Sequence, residues 1–248
     1  MESREVAIKL DNVSKTFNVK DKKANSIRDQ IFGFIQRKEK RKIQAVKPLS
    51  IDIKEGEFFG IIGRNGSGKS TLVNLILGMY SPDEGSKITI KGKMIRLALG
   101  MGFDNQLTGK ENIYINGSVL GLTFKEIDGL FDEIIAFAEL EDFVNTKVKF
   151  YSKGMKSRLT FAIAMHAQSD IFLFDEFFGG VGDLIFQEKS EKMFKESLLK
   201  GRTIVLVSHS MQIIKDHCDR VLLLDKGNPI MIGSPDEVIG RYRELVKK

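Results

Sequence analysis

Phe58-Phe59-Gly60-Ile61-Ile62-Gly63-Arg64-Asn65-Gly66-Ser67-Gly68-Lys69-Ser70-Thr71 runs from an apolar stretch into a glycine-rich turn that ends on a lysine and two hydroxyls. Residues 58–62 are apolar without alternation, the pattern of a strand buried on both faces. The next eight residues satisfy G-x-x-x-x-G-K-[ST], and residues 69–79 then read as a helix, the context that motif requires. Glycines let the backbone curl so that successive N–H groups point inward at phosphate oxygens. Lys69 is suited to neutralise the β- and γ-phosphates, Ser70 to offer its hydroxyl to Mg²⁺, and the helix N-terminus to favour the anion. Gly63, Arg64, Asn65, Gly66, Ser67, Gly68, Lys69, Ser70 and Thr71 are therefore the expected ATP-binding loop.

A magnesium–nucleotide site also needs a carboxylate at the end of a neighbouring strand. Ile171-Phe172-Leu173-Phe174-Asp175-Glu176 supplies four apolar residues and then two acids. Asp175 is the expected metal ligand, directly or through water, and Glu176 the expected general base for the attacking water.

Further apolar β-runs fall at residues 6–10, 49–53, 87–90, 203–207 and 221–224. Residues 108–168 read as mainly helical, with Ile127, Leu130, Phe131, Ile134 and Ile135 at helical spacing. Other helices are expected near 184–199 and 211–217, and a terminal one over 235–248. β-runs alternating with helices predict an α/β fold with a mostly parallel core sheet, a β-rich N-terminal part and a helical insert.

With 248 residues the chain can build one large domain, and its ordinary apolar fraction of 42% argues against disorder. One cysteine excludes an internal disulfide and a cysteine-based zinc site, so a reducing compartment is expected. The N-terminus lacks a signal-like apolar region, and no run approaches the about 20 apolar residues of a membrane span. Charge is concentrated: residues 20–42 hold nine lysines and arginines against three acids, a surplus equal to the whole net charge of +6. Such a field suits lipid headgroups, a phosphorylated lipid or nucleic acid.

Between the phosphate loop and the acidic strand end lies Tyr151-Ser152-Lys153-Gly154-Met155-Lys156-Ser157-Arg158, and Val207-Ser208-His209 follows a later strand. In this order the chain resembles the ABC (ATP-binding cassette) ATPases over essentially its whole length. The resemblance implies a P-loop NTPase cassette spanning residues 1–248, with residues 108–168 as its helical subdomain. It also implies a homodimer of nucleotide-binding domains, in which Ser152, Gly154 and Met155 of one copy close over the γ-phosphate held by the other. His209 matches the family's switch histidine, and Asp183 its acid after the catalytic glutamate. Phe17 falls where the family stacks an aromatic ring on adenine, an ordinary core phenylalanine being the other reading. The family's metal-sensing glutamine aligns with Asp104 or, as the nearest glutamine, Gln106.

The Tyr-Ser-x-Gly-Met-x-x-Arg-Leu stretch at residues 151–159 and Gly102-Phe103-x-x-x-Leu107-Thr108-Gly109-x-Glu111-Asn112 are similar to the ATPase subunits of polysaccharide exporters. That likeness implies a separate membrane permease, a lipid-linked glycan as cargo, and a place on the cytoplasmic face of a bacterial inner membrane. It departs from the exporter pattern at Lys153, commonly Ser, and in the longer run from Asp175 to Asp183. Exporter ATPases often carry an insertion where residues 18–44 lie. Here Ile27, Ile31, Phe34 and Ile35 give it an amphipathic pattern, read either as a membrane-facing element or as a solvated loop. A soluble ABC ATPase acting on nucleic acid or ribosomes is the alternative function. One cassette without sustained heptads argues against it.

Overall fold

The computed structural model describes residues 4–20, 40–97, 102–166, 169–175, 186, 188, 189, 192 and 201–247. A six-stranded sheet forms the centre, in the order β5-β6-β7-β3-β8-β9. These strands are β3 (Phe58–Gly63), β5 (Met94–Leu97), β6 (Ile171–Asp175), β7 (Thr203–Val207), β8 (Arg220–Asp225) and β9 (Asn228–Gly233). All neighbours pair parallel except β8 with β9. A second, antiparallel sheet joins β2 (Lys40–Lys54), β1 (Val6–Lys20) and β4 (Lys87–Ile90).

Unbroken apolar runs make the central sheet two-sided. Phe58, Phe172, Phe174, Ile204, Leu206, Val221 and Leu223 face one core, while Phe59, Ile61, Ile171, Leu173, Val205, Leu222 and Leu224 face the other. The period of two in a strand forces this split, and only residues apolar on both parities can satisfy it. The first core is completed by helices α4 (Lys153–His166), α5 (Met211–His217) and α6 (Pro235–Val246). The second is completed by α1 (Lys69–Ile76) and the antiparallel sheet. The chain's one cysteine, Cys218, is buried beside Gly60, where a Cβ would meet its sulfur at 2.9 Å; burial pushes the thiol well above its ordinary range.

Between β5 and β6, adjacent and parallel in space, the chain makes its helical excursion. Helices α2 (Gly109–Val119), α3 (Phe124–Ala138) and α4 enclose a third core around Ile113, Ile127, Ile134 and Ile163. Capping boxes start the first two: Thr108 with Glu111, and Thr123 with Glu126. Each threonine oxygen accepts from the N3 amide while the glutamate reaches back, satisfying two donors that a helix start leaves open. Ile127, Ile134 and Ile135 are buried as their spacing predicts, with Leu130 and Phe131 packed at the edge.

The helix expected to run on to residue 79 ends at Ile76, where Gly78 at φ +70° turns the chain back. The strand expected at 6–10 continues to Lys20 and pairs through to Lys40. Lys20, Lys40, Arg41 and Lys42 are therefore ladder positions and not loop residues, because Phe17, Val19 and Ile43 extend the strand pattern beyond the first apolar run. The amphipathic stretch from Ile27 to Ile35 lies outside the described residues, as does most of the helix expected at 184–199. No helix among the described residues is long and apolar enough to cross a membrane.

Candidate functional site

Parallel pairing brings three strand ends to one edge of the central sheet. Val207 of β7 stands level with Ile61 of β3 on one side and Asp175 of β6 on the other. Two strand spacings, about 10 Å, therefore separate the β3 and β6 chains at that level. The phosphate loop leaves β3 here, Ser208 and His209 follow β7, and Asp175 closes β6. Crevices at the carboxyl ends of parallel strands are where such sheets bind ligands.

The loop has the conformation its glycines predict. Gly66 and Gly68 sit at φ +76° and +107°, and a Cβ on Gly68 would lie 2.4 Å from the Ala45 carbonyl. Gly68 is the N-cap of α1, and no side chain caps that helix start, so its first amides face outward toward an anion. Lys69 is buried, and its ammonium donates to the carbonyls of Gly63 (2.8 Å) and Arg64 (3.2 Å). The Ser67 hydroxyl is also buried and has no hydrogen-bond partner. An uncapped helix start with a buried, unsatisfied hydroxyl beside it fits a phosphate chain.

Above the loop lies a cavity of about 530 Å³. Loop residues 65–71 form its floor, and the expected Asn65, Gly66, Ser67, Gly68, Lys69, Ser70 and Thr71 all line it. Arg64 is exposed beside it, and Ser70 presents an exposed hydroxyl. The walls are residues that motif reading missed: Ile43, Gln44 and Ala45 from β2, with Lys226 and Gly227 from the β8–β9 turn. The Asp225-Lys226-Gly227-Asn228 run marks a hairpin in sequence, but nothing in it says that the turn folds over the phosphate loop.

Phe17 is not among the lining residues. Its ring meets Tyr80 edge-on at 5.4 Å, with the Lys15 ammonium 5.4 Å from its centre. Tyr80, after α1, supplies this partner, and Phe17 stands opposite Ile43 in the β1–β2 ladder, a residue that does line the cavity. His209 is exposed between buried Ser208 and half-buried Ser210, and the Ser210 hydroxyl accepts from the Ile213 amide to start α5. Asp175 accepts from Arg96 of β5 at 2.7 Å. Glu176 and Asp183 lie outside the described residues.

Ser152 and Gly154 stand at the start of α4 and are not among the residues that line the cavity. The Ser152 hydroxyl accepts from the Met155 amide at 3.1 Å, and a Cβ on Gly154 would meet only that hydroxyl, at 3.7 Å. Ser152 and Lys153 are both exposed, so this helix start faces solvent with the Met155 amide already capped. Behind it Tyr151 is buried against Gly109, donating to the Phe143 carbonyl at 2.7 Å. Asp104 and Gln106 are exposed in the turn before α2, where Asp104 accepts from the Gln106 amide at 2.8 Å. Lys156 of α4 reaches that same turn through Asn105, 2.8 Å away.

Residues 46–179 match the sequence profile of the ABC transporter family. The chain belongs to that family. As an ABC cassette it is 37% identical, over 98% of its own length and 99% of the relative's, to an O-antigen export system ATP-binding protein, RfbB, of Klebsiella pneumoniae. It is 39% identical over its full length to a teichoic acids export ATP-binding protein, TagH, of Lactococcus lactis, of which it spans 53%. With RfbB of Myxococcus xanthus it shares 42% identity over 86% of its length and 49% of that protein. The cassette thus spans about half of several curated relatives and nearly all of another. Among solved structures, a dimeric ATP-binding cassette (MJ0796) in a post-hydrolysis state with ADP and Pi superposes with a TM-score of 0.73. That match has 25% identity and covers 92% of this chain and 98% of that one. The ABC cassette is a nucleotide-binding fold, and its relatives give the nucleic-acid alternative no support.

Proposed function

We propose that this chain is the ATP-hydrolysing subunit of an exporter that drives a lipid-linked polysaccharide across the cytoplasmic membrane through a separate permease. The observation that carries the reading is its end-to-end likeness to an O-antigen export subunit, joined to a cavity floored by residues 65–71 of the phosphate loop. Its place is peripheral, on the cytoplasmic face of that membrane.

Lys69 and the outward amides of α1 hold the β- and γ-phosphates. The Ser70 hydroxyl, which lines the cavity, and the Asp175 carboxylate at the end of β6 are hard oxygen donors that would hold Mg²⁺, and the ion would supply neutralisation of charge on the phosphates. Glu176 takes the proton as water adds to the γ-phosphorus and ADP leaves with the bridging oxygen; His209 positions that water.

Ser152, Gly154 and Met155 are not among the residues that line the cavity of their own copy, which supports a site completed by a second one. The solvent-facing start of α4 from a second copy supplies further amides to the γ-phosphate, so ATP closes a homodimer, with Asp183 at the shared boundary. Asp104 and Gln106, bridged to α4 through Asn105 and Lys156, lie where permease contact is relayed to the signature.

Replacing the chain in its host with Glu176→Gln tests the reading. Surface polysaccharide should fall to the level of the null strain while its lipid-linked precursor accumulates inside. Normal surface polysaccharide would overturn it.

A further inference from the structure

At the crevice edge stands a charge pair in which the motif acid Asp175 meets Arg96, a residue outside every motif. Arg96 is on β5 and Asp175 ends β6, its parallel neighbour. Nη2 of Arg96 lies 2.7 Å from Oδ2 of Asp175, with only 23% and 15% of the two side chains exposed. The rest of the guanidinium is poorly served. Its Nε is buried without a partner, and Nη1 has the Met79 sulfur at 3.7 Å. A half-buried guanidinium that leaves a donor unsatisfied is costly, so its carboxylate partner is what keeps it in place.

Asp175 is also the acid that the proposed function gives to Mg²⁺, and the inference rests on that reading. We propose that Arg96 is the resident counter-ion of Asp175 in the nucleotide-free chain, and that Mg²⁺ must displace it to reach the carboxylate. A guanidinium and a divalent cation on one carboxylate repel each other across a few ångströms of partly desolvated space, where charges interact more strongly than in water. Mg²⁺ alone gains too little from a single carboxylate to win the exchange, since it sheds its waters reluctantly. With phosphate oxygens supplying other ligands, it wins. Arg96 thereby makes metal and nucleotide load together, as a positioning residue and not a catalytic one.

The test is binding of a fluorescent ATP analogue to the purified chain across a Mg²⁺ titration, with EDTA as the metal-free reference. Arg96→Met should lower the half-saturating Mg²⁺ about five-fold, the scale expected for removing one partly screened charge. Arg96→Lys, which keeps the charge, should stay near the unmodified chain. An unchanged or raised half-saturation in Arg96→Met overturns the proposal. Should that variant fail to fold, the Arg96 side-chain NMR resonance of the unmodified chain decides. It should shift with Mg-ATP and hold with ATP in EDTA; a resonance indifferent to Mg²⁺ overturns the proposal. Asp175→Asn separates the two readings. If its Mg²⁺ dependence is unchanged, the metal-binding role of Asp175 fails, and the displacement proposal with it. If that dependence is lost while Arg96→Met behaves like the unmodified chain, only the displacement proposal fails.

Discussion

The Gly227 amide donates to the Ser67 carbonyl across 2.9 Å, which ties the β8–β9 turn to the phosphate loop. The Gly227 carbonyl in turn accepts from the Lys47 amide at 2.8 Å, so one glycine joins three segments around the cavity. Its φ of +78° favours glycine, and a Cβ there would meet the Gln44 and Ala45 carbonyls at 3.0 Å. Gly227→Ala should therefore cost about 1–3 kcal/mol of stability through backbone strain and displacement of β2. It should also weaken ATP binding. Thermal melting with and without nucleotide checks both; a variant that melts and binds normally would show the turn to be incidental.

Lys69 holds the loop and, in the proposed function, the phosphates as well. Without nucleotide its ammonium donates to Gly63 and Arg64, so Lys69→Ala loses both the loop contacts and the charge on the phosphates. Charge-assisted bonds of this kind are each worth about 1.5–3 kcal/mol, which predicts a loss of roughly ten- to a hundred-fold or more in ATP affinity. Equilibrium binding measures it, and an affinity within two-fold of the unmodified chain, on the scale of RT ln 2 or about 0.4 kcal/mol, would contradict the role given to the lysine.

The Asp83 carboxylate fastens the segment after α1 to β1. It accepts from the Thr16 amide (3.0 Å), the Thr16 hydroxyl (2.8 Å) and the Ser14 hydroxyl (3.3 Å). Burial alone would raise its pKa, but those bonds together with the nearby Lys15 charge outweigh burial and hold it below the usual carboxylate value. A depressed carboxylate stabilises the fold above its unfolded pKa and loses that contribution as pH falls through the folded value. Asp83→Asn should cost roughly 1 kcal/mol at neutral pH, discounted for solvent exposure, with the gap closing below about pH 4. Denaturant melts across pH 3–7 would show a constant gap if the charge played no part.

Phe17 and the β2 wall can be separated. Phe17→Ala removes the Tyr80 contact and should cost stability with little change in ATP affinity, because the ring does not line the cavity. Gln44→Trp changes a wall residue and should change affinity for adenine nucleotides over pyrimidine ones. A large affinity loss in Phe17→Ala, with Gln44→Trp inert, would assign the adenine contact to Phe17.

Local chemistry explains which features were legible in the sequence. Glycines at fixed offsets specify the phosphate loop, and the two-parity apolar runs specify β3, β6 and β7, because each of these properties is written in consecutive residues. β5 was not expected: Met94–Leu97 is four residues long and carries Arg96 in its middle, so only pairing with β6 makes it a strand. β9 begins at Asn228-Pro229, which reads as a turn until β8 is beside it. The cavity walls escaped for the same reason. Ile43, Gln44 and Lys226 carry no motif and reach the site only through the tertiary packing of β2 and the β8–β9 turn.

The central claim is that one chain holds only part of its ATP site and that ATP joins two copies. Light scattering of Glu176→Gln with and without Mg-ATP tests it most directly, since the general-base role proposed for Glu176 predicts that this variant binds ATP without consuming it. The account predicts a mass twice the 28.0 kDa of one chain with Mg-ATP, and single chains with ADP or when Ser152 is replaced by a bulky residue. A chain that stays at 28.0 kDa while saturated with ATP would contradict it.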